Sequence, residues 1–413
     1  MTLHAWLVSA GIVVLALGFL WAERLSVERR LRAVKLRVAV TGTRGKSSVT
    51  RLLAAALRES GLRVLAKTTG SAAMVLLPDG TEREIRRPGR PTILEQRSLL
   101  RLAVRHKAQA LVSEMMSISP ECLRVEAGKL LKPDLLLVTN VRLDHREEQG
   151  ATKDEIARSL SAAFHSGCTV IVPNDEFAPG FERAAVRVGA KLVRLTEESE
   201  RPGDKDLRAI APTEFKDNIR LALAAAELCG IKREAALRGM AEARSDPGGL
   251  AIFRAKLGSP VAAWFLASVF AANDPESSGL ALAKLDDLGR DARGERRAIL
   301  NLRDDRGDRT VQWLDALRGG FFDGFDRVYV VGSPAVVALK RRIRRLRKDG
   351  PLPEGRISIL AERSPEKIME IAAAEPGSDR GGLIIGLGNM GGLGRLLLDH
   401  WERIGERLEP GRA

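Results

Sequence analysis

Residues 36–48 read LRVAVTGTRGKSS. An apolar, β-type run breaks at Gly42 and resumes as helix-type sequence from Lys46. A strand, a glycine turn and a helix in that order expose backbone N–H groups at a helix start, where a phosphate finds its donors. Gly42 and Gly45 leave room for phosphate oxygens, and Thr43 and Arg44 complete the turn between them. Lys46 is placed to reach the β- and γ-phosphates, and Ser47 offers a hydroxyl to a phosphate-bound Mg²⁺, with Ser48 extending the polar run. The eight-residue form of this loop needs a further glycine where Val40 stands, so the loop is a shortened one, GTRGKS. A glycine turn with an incidental lysine is the plain alternative. Strand, turn and helix fall where the chemistry needs them, so the reading is a user of a nucleoside triphosphate.

Outward from this loop the chain alternates strand-type and helix-type stretches, the pattern of a doubly wound α/β sheet. Strands are expected at 36–41, 62–67, 108–113, 135–139, 168–172 and 191–195, and helices near 47–59, 152–164 and 214–229. A turn-rich break, Ser245-Asp246-Pro247-Gly248-Gly249, separates a second α/β set with strands at 251–257, 261–269, 297–302, 327–332 and 383–387. The expected domains are a nucleotide-binding one over 36–245 and a smaller one over 246–413. At 413 residues and 45% apolar the chain is long enough for two cores.

Three cysteines, Cys122, Cys168 and Cys229, are odd in number and too far apart for local metal spacing, which fits a reducing compartment. The 67 basic against 53 acidic side chains give +14, a charge suited to an anionic partner. The run KRRIRRLRK at 340–348 reads as a solvated helix face, with a lipid-headgroup contact as its alternative. No aromatic residues interleave with it for base stacking, so nucleic acid is not the expected partner.

The first 24 residues are expected to anchor the chain. Ala5 to Ala22 carry no charge, with Trp6 and Trp21 near the two ends. Arg24, Arg29, Arg30, Arg32, Lys35 and Arg37 follow, so residues 25–35 form a basic juxtamembrane segment and the long C-terminal part is expected in the cytoplasm. A signal peptide would need a basic start and a small-x-small site, and neither is present. A buried core helix is the other alternative.

Three further constellations follow, two at expected strand ends and one at a helix start. LVSEMMS (111–117) places Glu114 at a carboxyl end, where doubly wound sheets bind ligands and where a carboxylate suits Mg²⁺ or caps a turn. PDLLLVTNVRLDH (133–145) brings Asn140, Asp144 and His145 to another such end. KDNIR (216–220) opens an alanine-rich helix with Asn218 near its start, an ordinary place for an amide.

Taken together, GTRGKS, SEMMS, NVRLDH and NIRLALAAAE resemble the ATP-dependent amide ligases of the Mur type. The resemblance implies that Glu114 and His145 bind metal together with Ser47, that Asp144 orients its neighbour or binds water beside it, and that Asn218 contacts adenine. Many such enzymes carry a carbamylated lysine about fifteen residues after the histidine. Here Leu160 and Ser161 fill that region and Lys153 stands closer, so the second metal is held differently or its charge is met by another group.

FAANDPESS (270–278), NLRDDRGDR (301–309) and GLGNMGGLG (386–394) are similar to the C-terminal part of the poly-γ-glutamate synthase family called PgsB or CapB. That resemblance implies a membrane-anchored ligase using ATP and Mg²⁺, with Lys46, Glu114 and His145 catalytic. Glutamate and a growing poly-γ-glutamate chain are its implied substrates, and small membrane subunits its implied partners. Arg303 and Asp305, with Arg306 and Arg309, are candidates for binding phosphate or carboxylate, and Arg87 and Arg90 weaker ones for glutamate. A small-molecule kinase and an ATP-gated membrane scaffold are the rival functions.

Overall fold

The computed structural model describes residues 3–70, 73–87, 89, 91–144, 146–195, 210, 214–246, 248–258, 261–287, 294–303, 307–332, 356–374, 381–408. It resolves into two compact units. One comprises 1–69, 73–201 and 217–243, the other 70–72, 202–216 and 244–413.

The first unit opens with a single long helix, α1 (Leu3–Ala33). Among the described residues this is the one helix long and apolar enough to cross a membrane, with mean hydropathy 1.9 over its apolar window. Its first part is bare, Leu15 being 74% exposed and Trp21 66%. Residues 25–33 continue the same helix, and there Val27 and Leu31 turn into the core of the unit. Their burial contributes roughly 3–6 kcal/mol, enough to fix the last turns of α1 on the domain. Arg37 strengthens the joint, because its guanidinium donates to the carbonyls of Leu31 and Val34 at the helix end and pairs with Asp134 at 2.8 Å.

The sheet of this unit has eight strands: β1 (Leu36–Thr41), β2 (Val64–Thr68), β3 (Met74–Leu76), β4 (Glu82–Glu84), β5 (Ala110–Glu114), β6 (Leu135–Val138), β7 (Thr169–Pro173) and β8 (Lys191–Leu195). Their order is β4-β3-β2-β5-β1-β6-β7-β8, parallel except for β3 and β4, which add an antiparallel edge. The helices are α2 (Lys46–Glu59), α3 (Glu95–Arg105), α4 (Pro120–Val125), α5 (Arg146–Gln149), α6 (Lys153–Leu160), α7 (Pro179–Val188), α8 (Lys216–Leu228) and α9 (Arg233–Ala241). On α9, a Cβ at Gly239 would stand 2.5 Å from the carbonyl oxygen of Ala55, so this glycine lets α9 lie closely on α2. β1 is central, between β5 and β6, so the carboxyl ends of all three strands open side by side. The arrangement is the doubly wound sheet that the alternation of strand and helix predicts.

The second unit is also α/β. Its strands are β9 (Ala251–Leu257), β10 (Ala262–Ser268), β11 (Glu295–Asn301), β12 (Arg327–Val331), β13 (Ile357–Ile359), β14 (Gly382–Gly388) and β15 (Glu406–Arg407), in the order β13-β12-β11-β14-β10-β9-β15. Helices α10 (Pro275–Asp287) and α11 (Gly307–Arg318) contribute to the core that holds Trp313, while α12 (Pro365–Ala374) and α13 (Leu393–Ile404) contribute to the one that holds Trp264 and Trp401. The segment FAANDPESS is an elbow between β10 and α10: Asn273 adopts φ 61°, and Asp274 accepts a hydrogen bond from the N–H of Ser277 at 2.8 Å, starting the helix.

Candidate active site

The phosphate loop leaves β1 at Thr41 and enters α2 at Lys46. Gly42 (φ 120°) and Gly45 (φ 77°) both take left-handed backbone that side chains disfavour. Space forbids them as well. A Cβ would lie 2.2 Å from Oγ1 of Thr139 at Gly42, and 2.3 Å from Oδ1 of Asn218 at Gly45. Asn218 is therefore lodged, nearly buried, against the turn itself. Lys46 curls back, its Nζ donating to the carbonyl oxygens of Gly42 (2.7 Å) and Thr43 (3.0 Å). Ser48 follows in the first turn of α2.

The loop is clamped from β6. The Oδ1 of Asn140 accepts the N–H of Arg44 at 2.9 Å, its Nδ2 donates to the Arg44 carbonyl at 3.1 Å, and its own carbonyl accepts the N–H of Thr43. Thr43 returns the contact, its Oγ1 accepting the N–H of Arg142 at 3.1 Å.

At the end of β5, Glu114 is only 2% exposed. One of its oxygens, Oε2, accepts both the Ser47 hydroxyl and the N–H of Thr69, each at 2.7 Å. The serine and the glutamate singled out as metal ligands are thus in direct contact. A hydroxyl and a carboxylate with no sulfur or nitrogen between them form a hard donor set, which fits Mg²⁺. Among the described residues no three His, Cys, Asp or Glu side chains gather as a metal cluster. His145 lies outside the described residues.

Its neighbour Asp144 is nearly buried and pairs with Arg44 of the phosphate loop at 3.2 Å. The turn after β6 is braced from its other side by Glu176, a residue the sequence reading passed over. Its carboxylate accepts the N–H of Val141 at 3.0 Å and pairs with Arg142 at 3.0 Å. Burial pushes the Glu176 carboxyl above the usual carboxylate range, against the opposing pull of the Val141 N–H and the Arg142 charge. The signal for it was the acidic pair Asp175-Glu176 just past β7, at the same edge of the sheet. Leu160 and Ser161 end α6 buried, with the Ser161 hydroxyl donating to the Arg158 carbonyl, while Lys153 opens that helix exposed.

A polar network supports Glu114 from behind. Ser113 donates to Gln96 at 3.2 Å, and Gln96 donates to the buried Glu126 at 2.6 Å. Glu126 accepts the N–H groups of Met116 and Ser117, fixing the chain where it leaves β5. It opens a π-helical turn, Glu126–Leu131, a form frequent beside functional sites. Nearby, Lys67 is 1% exposed and pairs with Glu95 at 3.3 Å. Burial lowers the Lys67 ammonium, opposed by the charges of Glu95 and Glu126. Arg87 is bound through two nitrogens to the same Glu95, at 2.6 and 3.0 Å, which joins its guanidinium to this network. Arg90 lies outside the described residues.

In the second unit, the turn after β14 is held by Asn301 at the end of β11. Its Nδ2 donates to the carbonyls of Asn389 (2.6 Å) and Gly391 (3.2 Å). Arg303 lies on this turn, its Nη1 1.8 Å from where a Cβ on Gly391 would stand. Arg309 is nearly buried and donates to Oδ1 of Asn389 at 3.3 Å. Asp305, Arg306 and the basic run 340–348 lie outside the described residues.

Comparison with known proteins follows this division. The profile of the Mur ligase middle domain matches residues 40–234, and that of the poly-gamma-glutamate synthase CapB C-terminal domain matches 256–404. The chain is 30% identical over 395 residues to the PGA synthase CapB of Bacillus subtilis (strain 168), covering 95% of this chain and 96% of that protein. It is 33% identical over 303 residues to the capsule biosynthesis protein CapB of Bacillus anthracis, covering 73% of this chain and 64% of that protein. Among solved structures, a bifunctional folylpolyglutamate synthase/dihydrofolate synthase from Yersinia pestis complexed with AMPPNP and Mn superposes with TM-score 0.63 at 18% identity, covering 92% of this chain and 93% of that one. MurF from Acinetobacter baumannii gives TM-score 0.61 at 17% identity, covering 91% and 79%. These structures share the fold, while the curated relative carries the family through both units from end to end, and so the chain belongs to the CapB family of poly-γ-glutamate synthases.

Proposed function

We propose that this chain is a membrane-tethered, ATP-dependent amide ligase that extends a γ-linked glutamate polymer. The observation that carries the reading is the convergence of the phosphate loop, Glu114 and the Asn140–Asp144 turn at adjacent strand ends, in a chain with a CapB relative along nearly its whole length.

A carboxylate resists attack by an amine because its leaving group would be oxide. In the proposed reaction a carboxylate oxygen of the acceptor attacks the γ-phosphorus of ATP, and the bond to the bridging oxygen breaks. ADP departs and an acyl phosphate remains. The amine of the incoming unit then attacks the acyl carbon, the carbon–oxygen bond to phosphate breaks, and loss of the amine proton leaves an amide. Backbone N–H groups of residues 42–47 cradle the phosphates, and Lys46 swings from the Gly42 and Thr43 carbonyls to the transferring group, where it neutralises developing charge. Ser47 and Glu114 would hold Mg²⁺, which supplies positive charge across the phosphate oxygens when bound. His145 would complete that set, and Asp144 fixes its turn to Arg44. Asn218, already against Gly45, would contact the adenine side of the nucleotide.

For the second unit, Arg303 on the Gly391 turn would bind a phosphate or the carboxylate of the incoming glutamate. Helix α1 crosses the bilayer with Arg24 to Arg37 inside, so the two units face the cytoplasm. Small membrane subunits are the expected partners.

Hydroxylamine decides between ligase and kinase. It intercepts an acyl phosphate as a hydroxamate, so ATP and glutamate polymer with hydroxylamine should yield ADP and hydroxamate together. ADP release that needs only a hydroxyl acceptor, with no hydroxamate, would make the chain a kinase.

A further inference from the structure

We propose that the outward row of α3 (Arg97, Arg101 and Arg105, with Leu94 and Val104 beside them) lies on the anionic headgroups of the bilayer that α1 crosses; this rests on the membrane reading of α1 given above. The row is set by helical spacing. Arginines at i, i+4 and i+8 share one face of a helix. On the opposite face Leu99, Leu100 and Ala103 enter the same core as Val27 and Leu31 of α1. Arg101 and Arg105 are exposed, and two apolar side chains flank them in the open, Leu94 at 49% and Val104 at 39%. The one acid of α3, Glu95, is turned to Lys67 and Arg87.

The height of this row is fixed by one contact. Glu23 is the first charged residue after the apolar stretch of α1, and it is paired with Arg97. Arg97 therefore stands at the edge of the hydrocarbon, paired with the residue that precedes the exposed Arg24. Arg101 follows about 6 Å along α3 and Arg105 about 12 Å, at 1.5 Å per residue. The step from Arg97 to Arg101 is comparable to the depth of the headgroup layer, which adds roughly 5–8 Å outside each side of the hydrocarbon, so an α3 running along the surface keeps Arg101 within it. Phosphate and carboxylate groups there match guanidinium, and the flanking leucine and valine suit the boundary between headgroup and acyl chain. Because the end of α1 is buried in the unit, the contact would hold the nucleotide domain at one angle to the membrane instead of letting it swing.

The test uses the full-length chain in lipid nanodiscs, with a nitroxide attached at Ser98→Cys after Cys122→Ser removes the exposed native thiol. The nanodiscs contain zwitterionic lipid alone or about one-third phosphatidylserine. With the anionic lipid, collisions of the label with an aqueous nickel chelate should fall roughly fivefold, the factor that one favourable basic contact gives. Raising the salt to about 0.5 M, or replacing Arg101→Glu with Arg105→Glu, should restore them. Equal accessibility in both lipids overturns the proposal and leaves this face to a protein partner or to solvent. A second label at Leu15→Cys separates the two readings: a lipid-buried Leu15 label with an indifferent Ser98 label refutes the α3 contact alone, whereas an aqueous Leu15 label refutes the membrane span and the contact with it.

Discussion

Ser47 and Glu114, 67 residues apart in sequence, meet with the serine hydroxyl 2.7 Å from Oε2 of the glutamate. The first opens α2 after the phosphate loop and the second ends β5, and the pairing of Val40 with Glu114 in the sheet brings the two ends together. If both serve one ion, removing either disables that ion, and the second removal costs little more. Glu114→Gln and Ser47→Ala should each lower kcat by roughly 10²–10³-fold, and the double variant by about the same factor. The readout is ADP release at saturating ATP and polymer. Losses that multiply would show two independent roles.

Lys46→Ala should leave the fold intact: it removes the bonds from Nζ to the Gly42 and Thr43 carbonyls, but the Asn140 clamp on Thr43 and Arg44 remains. Nucleotide binding should weaken modestly, since the loop's N–H groups remain, while turnover falls by at least about 100-fold. Nucleotide titration and single-turnover ADP formation measure the two effects separately. Near-normal turnover would remove Lys46 from the chemistry.

The pair Arg44–Asp144 ties the phosphate loop to the turn after β6. Asp144 is nearly buried, so its loss takes a carboxylate from a guanidinium that has only partial access to water. Asp144→Ala should destabilise the first unit by about 3 kcal/mol, the low end for breaking a buried pair. Combining Arg44→Met with Asp144→Leu should recover much of this stability without recovering activity. Urea unfolding of the single and double variants tests it, and additive losses would mean that the two side chains do not depend on each other.

The phosphate loop, the parallel sheet and Glu114 were legible because each rests on local pattern: an apolar run, then glycines or an acid at its end. The place of Asn218 against Gly45 was not legible, since an amide at a helix start looks ordinary until the fold brings it to the loop. The supports were hidden for the same reason. Nothing near Gln96, Glu126 or Glu176 in sequence says that they meet Ser113, Met116 or Val141; those contacts exist only once α3, the π-turn and the end of β7 have packed. The partner of Arg87 was hidden in the same way, because an arginine-rich loop suggests an anionic ligand and does not say that the fold brings Glu95 to it.

Glu176 makes the brace sensitive to pH. Burial raises its carboxyl above the usual range, so the folded chain holds this proton more tightly than the unfolded chain. The sign follows from that difference: the stabilisation is complete below the unfolded value near 4.3 and is lost as pH rises through the higher folded value. Catalysis should run the other way. The ionised form pairs with Arg142 and accepts the N–H of Val141, holding the turn between Asn140 and Asp144, and protonation removes the charge that binds Arg142. Glu176→Gln keeps the shape and an acceptor for Val141 but mimics the neutral state at every pH. Relative to this variant, wild type should gain stability as pH falls from about 7 toward 4, while its advantage in kcat shrinks over the same window. Denaturant midpoints and initial rates at matched pH values provide both curves. A stability difference that is flat or that falls with acid, or a kcat advantage that persists to the lowest pH, would show that Glu176 does not titrate as the brace of this turn.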